Sequence, residues 1–125
     1  MAKKVDELLV YQESMEGVRA ISELIESSGI RNNWKLRDQL MDAAIGAPRN
    51  IREGFSQQTD RAFVRYLYFA RGSAQEVRTH LAAALELKYI LASDHSSHDA
   101  LYEEISKMVT GLIKYLKLSD RKSRG

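Results

Sequence analysis

The sequence predicts an all-α protein, an antiparallel up-down-up-down four-helix bundle, and three observations carry that expectation. Apolar residues recur at three- and four-residue intervals in four successive segments, which is the period of one helix face. One Pro and seven Gly in 125 residues leave too few breaks for a many-turned β fold. No stretch alternates at period two for long enough to read as a strand. With 44% hydrophobic and 29% charged residues the composition is that of a soluble globular chain, and the length suits one domain over residues 1–125.

The first helix is expected over residues 8–28, on a stripe of Tyr11, Met15, Val18, Ile21 and Ile25; Gly29 then permits the left-handed stop that ends it. The second is expected over residues 33–55, with Leu40, Met41, Ala44, Pro48, Ile51 and Phe55 on its stripe. Pro48 removes one backbone hydrogen bond but the stripe keeps its phase, so a kink is expected rather than a break. Thr59 or Asp60 caps a third helix extending to about residue 91, with Phe63, Leu67, Ala70, Ala74, Val77, Leu81 and Lys88 along its core side. Residues 93–98 read as a polar loop, and a fourth helix follows over 98–118 with a seam of Leu101, Ile105, Met108, Leu112 and Tyr115. Residues 119–125 read as a short, frayed, basic tail. Short loops make successive helices antiparallel neighbours, and Leu67, Val77, Leu81, Ile105, Met108 and Leu112 are expected to meet in the core.

Composition excludes several kinds of chemistry. Without Cys there is no disulfide framework, thiolate zinc site or Cys nucleophile. No apolar run reaches the roughly 18 residues of a spanning helix, and the Met-Ala-Lys-Lys start has no apolar segment behind it. A cytoplasmic protein without membrane contact is therefore expected. A di-iron bundle needs paired Glu-x-x-His motifs; the nearest approach, Glu76 with His80, is one residue too long and occurs once. Asp94, His95, His98 and Asp99 offer two imidazoles for a divalent ion, with a solvated loop as the ordinary alternative. No strained nucleophile turn, phosphate loop or dinucleotide fingerprint is present, so no catalytic residue, cofactor or metal is assigned.

Charge is segregated along the chain. Residues 6–28 carry six acids against Arg19 alone, residues 29–78 nine bases against five acids, and residues 100–125 six bases against three acids. Such segregation commonly produces no more than complementary solvated faces. The third helix also carries Arg65, Phe69, Gly72, Glu76, Ala83 and Leu87 opposite its core side, and the second carries Asp42, Gly46, Arg49, Asn50 and Glu53 away from its stripe. Apolar and small residues grouped there suggest a second packing surface, between subunits; scattered surface apolars are the plain alternative.

Two segments make a specific pattern. One is Pro48-Arg49-Asn50-Ile51-Arg52-Glu53-Gly54, and the other is Ala70-Arg71-Gly72-Ser73-Ala74-Gln75-Glu76. With their spacing, and with weaker likeness through residues 8–12 and 108–113, the chain resembles the four-helix-bundle proteins encoded in intervening sequences of bacterial large-subunit ribosomal RNA genes. The resemblance implies a ring-like homopentamer. In fold and size the chain is also similar to the basic pentameric accessory proteins of diversity-generating retroelements, which implies nucleic-acid binding. Arg49 and Arg52 stand where the family usually has small residues, which adds positive charge. For Asn50, Glu53, Arg71, Ser73 and Glu76 the choice is between a binding site and a polar network fixing helix register or subunit contacts.

Three function classes follow. The first is a non-enzymatic homo-oligomer binding RNA or DNA through Arg31, Lys35, Arg37, Arg49, Arg52, Arg61 and Arg65, with phosphate contacts outweighing base stacking because few aromatics beyond Tyr66 and Tyr68 look exposed. The second is an oligomeric scaffold with no nucleic-acid role. The third, a metal or small-molecule enzyme, has only the histidine segment behind it.

Overall fold

Four helices build the molecule: α1 (Leu9–Ser27), α2 (Trp34–Phe55), α3 (Asp60–Glu86) and α4 (Ala92–Arg124), and among the described residues there is no strand. The structure is a computed structural model and describes residues 2–124. Side-chain caps start the middle helices. Ser28 accepts the Ile30 N–H and opens the 3₁₀ turn Gly29–Asn32, and Asn33 accepts the Leu36 N–H to begin α2. Of the two residues able to cap α3, Thr59 does so by accepting the Ala62 N–H.

Contacts between helices fix the topology as the expected antiparallel bundle. Gly46 faces Ser73 and Gly54 faces Phe63, so α2 and α3 run in opposite directions. Tyr68, Arg71 and Arg78 of α3 meet Lys117, Thr110 and Asp99 of α4, again antiparallel. Helix α1 packs on α2 and α4 and lies diagonal to α3. Leu40, Ile51, Leu67, Val77, Leu81 and Ile105 are fully buried between them.

Two helix faces sit about one residue away from the predicted stripes. In α1, Val10, Ser14 and Gly17 turn inward ahead of Ile21, while Tyr11, Met15 and Val18 are only half-buried. In α4, Tyr102, Ile105, Val109, Ile113 and Leu116 form the buried line; Leu101, Met108 and Leu112 pack at its margin and Tyr115 is 57% exposed. The cause is a small-to-large match: a Cβ on Gly17 would lie 2.6 Å from the Tyr102 hydroxyl, so this glycine makes room for that ring. The Tyr102 hydroxyl is buried without a hydrogen-bond partner, and burial drives its pKa far above the ordinary phenol value.

The ends of α3 and α4 also depart from expectation. Helix α3 stops at Glu86, and Lys88, placed by periodicity on the core stripe, is exposed with φ of 63°. Its N–H bonds the Leu85 carbonyl while the Tyr89 N–H reaches Ala84, a Schellman closure with lysine at the position glycine usually takes. Residues 93–98 are helical, not a loop. Asp94 in the first turn of α4 accepts the Leu91 N–H, which caps the helix from inside and complements its positive end. The segment 119–124, read as a frayed tail, continues α4, because no Gly or Pro interrupts it and its cations suit the negative helix end; residue 125 lies outside the described residues. Helix α2 runs unbroken through the buried Pro48.

Arg78 clamps α3 to α4. Its Nε and Nη2 donate to the two carboxylate oxygens of Asp99 at 2.9 and 3.2 Å, and Glu103 lies 3.6 Å away. The Arg78 hydrogen bond holds the Asp99 carboxyl below its ordinary range, against the opposing pull of desolvation. A lowered carboxylate pKa stabilises the fold above the unfolded value of about 4, and that contribution is lost as pH falls through the folded value. Asp99→Asn should therefore cost about 1 kcal/mol at neutral pH and flatten the acid limb of the stability curve, both measurable by urea melts.

Candidate nucleic-acid interface

Three of the seven cations assigned to nucleic-acid contact, Lys35, Arg61 and Arg65, make no ion pair among the described residues. The other four are engaged by groups of α1, α2 or the segment just before α1. Arg31 donates to the Glu26 carbonyl, and Arg37 pairs with Asp38 at 3.1 Å. Arg49 lies 3.9 Å from Asp42, and Arg52 lies 3.7 Å from Asp6 while its guanidinium also approaches the Tyr11 hydroxyl and ring. These pairs are long and solvent-exposed, so each reduces local positive potential without removing it. Lys35 and Arg61 are exposed and make no ion pair among the described residues, and Arg65 stands over the Phe69 ring at 5.9 Å.

Of the residues proposed for a polar network, Gly46, Asn50 and Ser73 meet at the α2–α3 seam. Asn50 Nδ2 donates to the Gly46 carbonyl at 2.8 Å, a bond inside α2 just where Pro48 interrupts the backbone ladder. Arg71 donates to Thr110 Oγ1 at 3.1 Å and lies over Tyr68. Ser73 packs over Gly46. The carboxylates of Glu53 and Glu76 are exposed and make no ion pair among the described residues. No group of three His, Asp or Glu side chains with metal-binding geometry occurs among the described residues, and Asp99 is committed to Arg78.

The second face is smaller than periodicity suggested. Gly46, assigned to it, is buried in the α2–α3 seam of its own chain, where a Cβ would meet Ser73 Oγ at 2.5 Å. Ala83 is half-buried. Phe69 and Leu87 are 49% and 54% exposed, and a Cβ on Gly72 would meet nothing within 4 Å. These three, with Glu76, keep an open outer face on α3.

What sequence inspection missed is a cationic and aromatic edge where α3 meets the end of α4. Lys117 Nζ donates to the Tyr68 hydroxyl at 2.8 Å, which holds that phenol below its ordinary pKa. The ammonium is 5.3 Å from the ring centre yet adjacent to the oxygen, so it sits beyond the hydroxyl edge; Arg71, at 4.9 Å, is the cation over a ring face. Tyr115 and Phe69 add exposed rings, more aromatic surface than Tyr66 and Tyr68 alone. A continuous α4 was the needed signal, and the absence of any helix breaker between residues 99 and 124 except Gly111 was its trace in the sequence.

The profile of one family, described as 23S rRNA-intervening sequence protein, matches residues 6–111, spanning α1 to α3 and the first part of α4. The chain belongs to the 23S rRNA-intervening sequence protein family. Among solved structures this family member is similar to a protein of unknown function from the S23 ribosomal protein family of Bacteroides thetaiotaomicron. The two share 25% identity with a TM-score of 0.77 over 85% of this chain and 99% of the other. No curated protein matches. Both family segments lie at the α2–α3 seam, and Lys117 and Arg121 lie past the matched residues. Among the described residues no helix is long and apolar enough to cross a membrane.

Proposed function

We propose that this protein is a non-enzymatic homo-oligomer that binds RNA electrostatically, through the exposed cations of α2 and α3. The observation that supports this reading is that Lys35, Arg61 and Arg65 are exposed and make no ion pair among the described residues, while Arg49 and Arg52 have only long, exposed carboxylate pairs. The acidic α1 packs on α2 and α4 and lies diagonal to α3, so the cations of α3 are the ones farthest from its carboxylates. Assembly uses the outer face of α3, where Gly72 has open space above it and Phe69 and Leu87 are exposed, and five copies is the expected number. The pairing of Arg49 with Asp42 and of Arg52 with Asp6 favours the second reading, a scaffold without nucleic acid.

Gel-shift titration with a structured fragment of large-subunit ribosomal RNA at two salt concentrations separates the readings. Affinity should fall more than about tenfold between roughly 50 and 200 mM salt, and Arg49→Glu with Arg52→Glu should weaken it further. No shift at low salt, or a shift indifferent to those two charges, leaves the scaffold. Light scattering should report an oligomer for the unmodified chain and smaller species for Gly72→Leu, a substitution the single chain accommodates freely.

A further inference from the structure

A cleft of about 300 Å³ opens between the first turn of α3 and the last turns of α4, lined by Arg61, Val64, Leu116, Lys117, Asp120 and Arg121. We propose that this cleft is a phosphate subsite for single-stranded nucleic acid, with Arg61, Lys117 and Arg121 around a backbone phosphate and Tyr68 stacking a neighbouring base. The proposal rests on the nucleic-acid reading above but assigns its centre to different residues, two of which lie outside the segment shared with the family.

Three features of the cleft suit that ligand. Its floor is rigid, since Val64 and Leu116 are 8% and 1% exposed, so the cations project from a packed surface on two different helices. Three cations face one carboxylate, leaving an excess of positive charge beside apolar wall. Lys117 belongs both to the cleft and to the Tyr68 hydroxyl, which ties the phosphate site to an aromatic ring that is itself 39% exposed. Arg61 and Tyr68 are seven residues apart on one helix, about 10 Å along its axis, with Lys117 reaching across from α4. Arg71, fixed by Thr110, lies over one face of the ring and Lys117 holds its hydroxyl, so the ring is oriented before any base arrives and a base would stack on the part that Arg71 leaves exposed.

The ring is what selects a single strand. A duplex keeps its base faces stacked on each other and offers only phosphates, whereas an unpaired strand presents both phosphate and base face. Single-strand affinity should therefore exceed that for a duplex of equal length.

Fluorescence anisotropy with a labelled oligouridylate, the corresponding deoxyuridylate and a matched RNA duplex tests this on the full chain at low salt. The expected result is at least about fivefold preference for the single strands over the duplex, the ribose and deoxyribose forms alike. Arg61→Ala with Lys117→Ala and Arg121→Ala should weaken single-strand binding by about tenfold or more and make its salt dependence shallower. Tyr68→Leu should cost about fivefold, and Tyr68→Phe, which keeps the ring, should stay within about twofold. Arg61→Glu alone serves as the second variant should the triple one melt early. Equal or tighter duplex binding overturns the proposal, as does unchanged affinity in the cleft variants when Arg49→Glu with Arg52→Glu abolishes it, a pattern that leaves the general nucleic-acid reading standing. Competition by polyglutamate equal to that of the oligonucleotide also overturns it, because the cleft would then read charge alone. An unmodified chain that binds none of the three probes fails both readings together.

Discussion

Leu81→Ala should lower the unfolding free energy by about 2–5 kcal/mol, read from urea melts of the purified chain. Leu81 is fully buried in α3, in line with Leu67 and Val77, and it belongs to the apolar cluster that joins all four helices. Truncation removes the transfer energy of three carbons and leaves a cavity that helices already held by Val77 and Ile105 cannot collapse to fill. A loss near the upper end is a large fraction of what a domain of this size possesses, so the variant should also express poorly. A measured loss under about 1 kcal/mol would mean that α3 is rotated from the orientation described, since a solvent-side leucine costs no more than that.

Leu81 was legible because α3 is a central helix whose periodicity runs without interruption: each core position from Phe63 to Leu81 is buried as its spacing requires. The stripe failed at Lys88, and the reason is local. Helix termination there depends on the Schellman bonds from Lys88 and Tyr89, which no glycine or proline announces. The one-residue offset of α1 and α4 has a different cause. Periodicity ranks large apolar residues as core, whereas α1 meets α4 through Gly17 against Tyr102 and Ile105, and buries Ser14 as well, residues that carry no hydrophobic signal on the α1 side.

The candidate site was less legible still. The pairing of Arg49 with Asp42, seven residues apart on one helix, is open to sequence reading, whereas Arg52 pairs with Asp6, which lies in the segment before α1 and meets it only in the folded bundle. Residues 119–125 read as a frayed basic tail, which adds charge but gives Arg121 no fixed place beside α3. The cleft exists only because α4 continues past residue 118 beside the start of α3, where no Gly or Pro interrupts it.

Gly54→Ala should destabilise the fold by about 1–3 kcal/mol, the range for inserting a methyl group into a packed seam. Intrinsic helix propensity alone predicts the opposite, a gain of up to about 1 kcal/mol for replacing glycine by alanine inside a helix. Packing decides the sign. An alanine Cβ at position 54 would lie 2.8 Å from both the Phe63 ring and the Tyr66 Cβ, and 3.2 Å from the Phe63 carbonyl oxygen. The ring edge can swing aside, but Tyr66 Cβ and the Phe63 carbonyl are fixed to the backbone of α3, so the two helices must separate. Phe63 is also held edge-on by Phe55 at 6.0 Å, which limits how far its ring can yield. Gly111→Ala is the matched control: the same chemical change in α4, where the new methyl meets nothing, should leave stability unchanged or raise it by the propensity term. Thermal melts of the two variants at equal concentration make the comparison. A Gly54→Ala variant as stable as the Gly111→Ala one would show that α2 and α3 are not in close backbone contact, and the glycine closing the Pro48–Gly54 segment would lose its structural explanation.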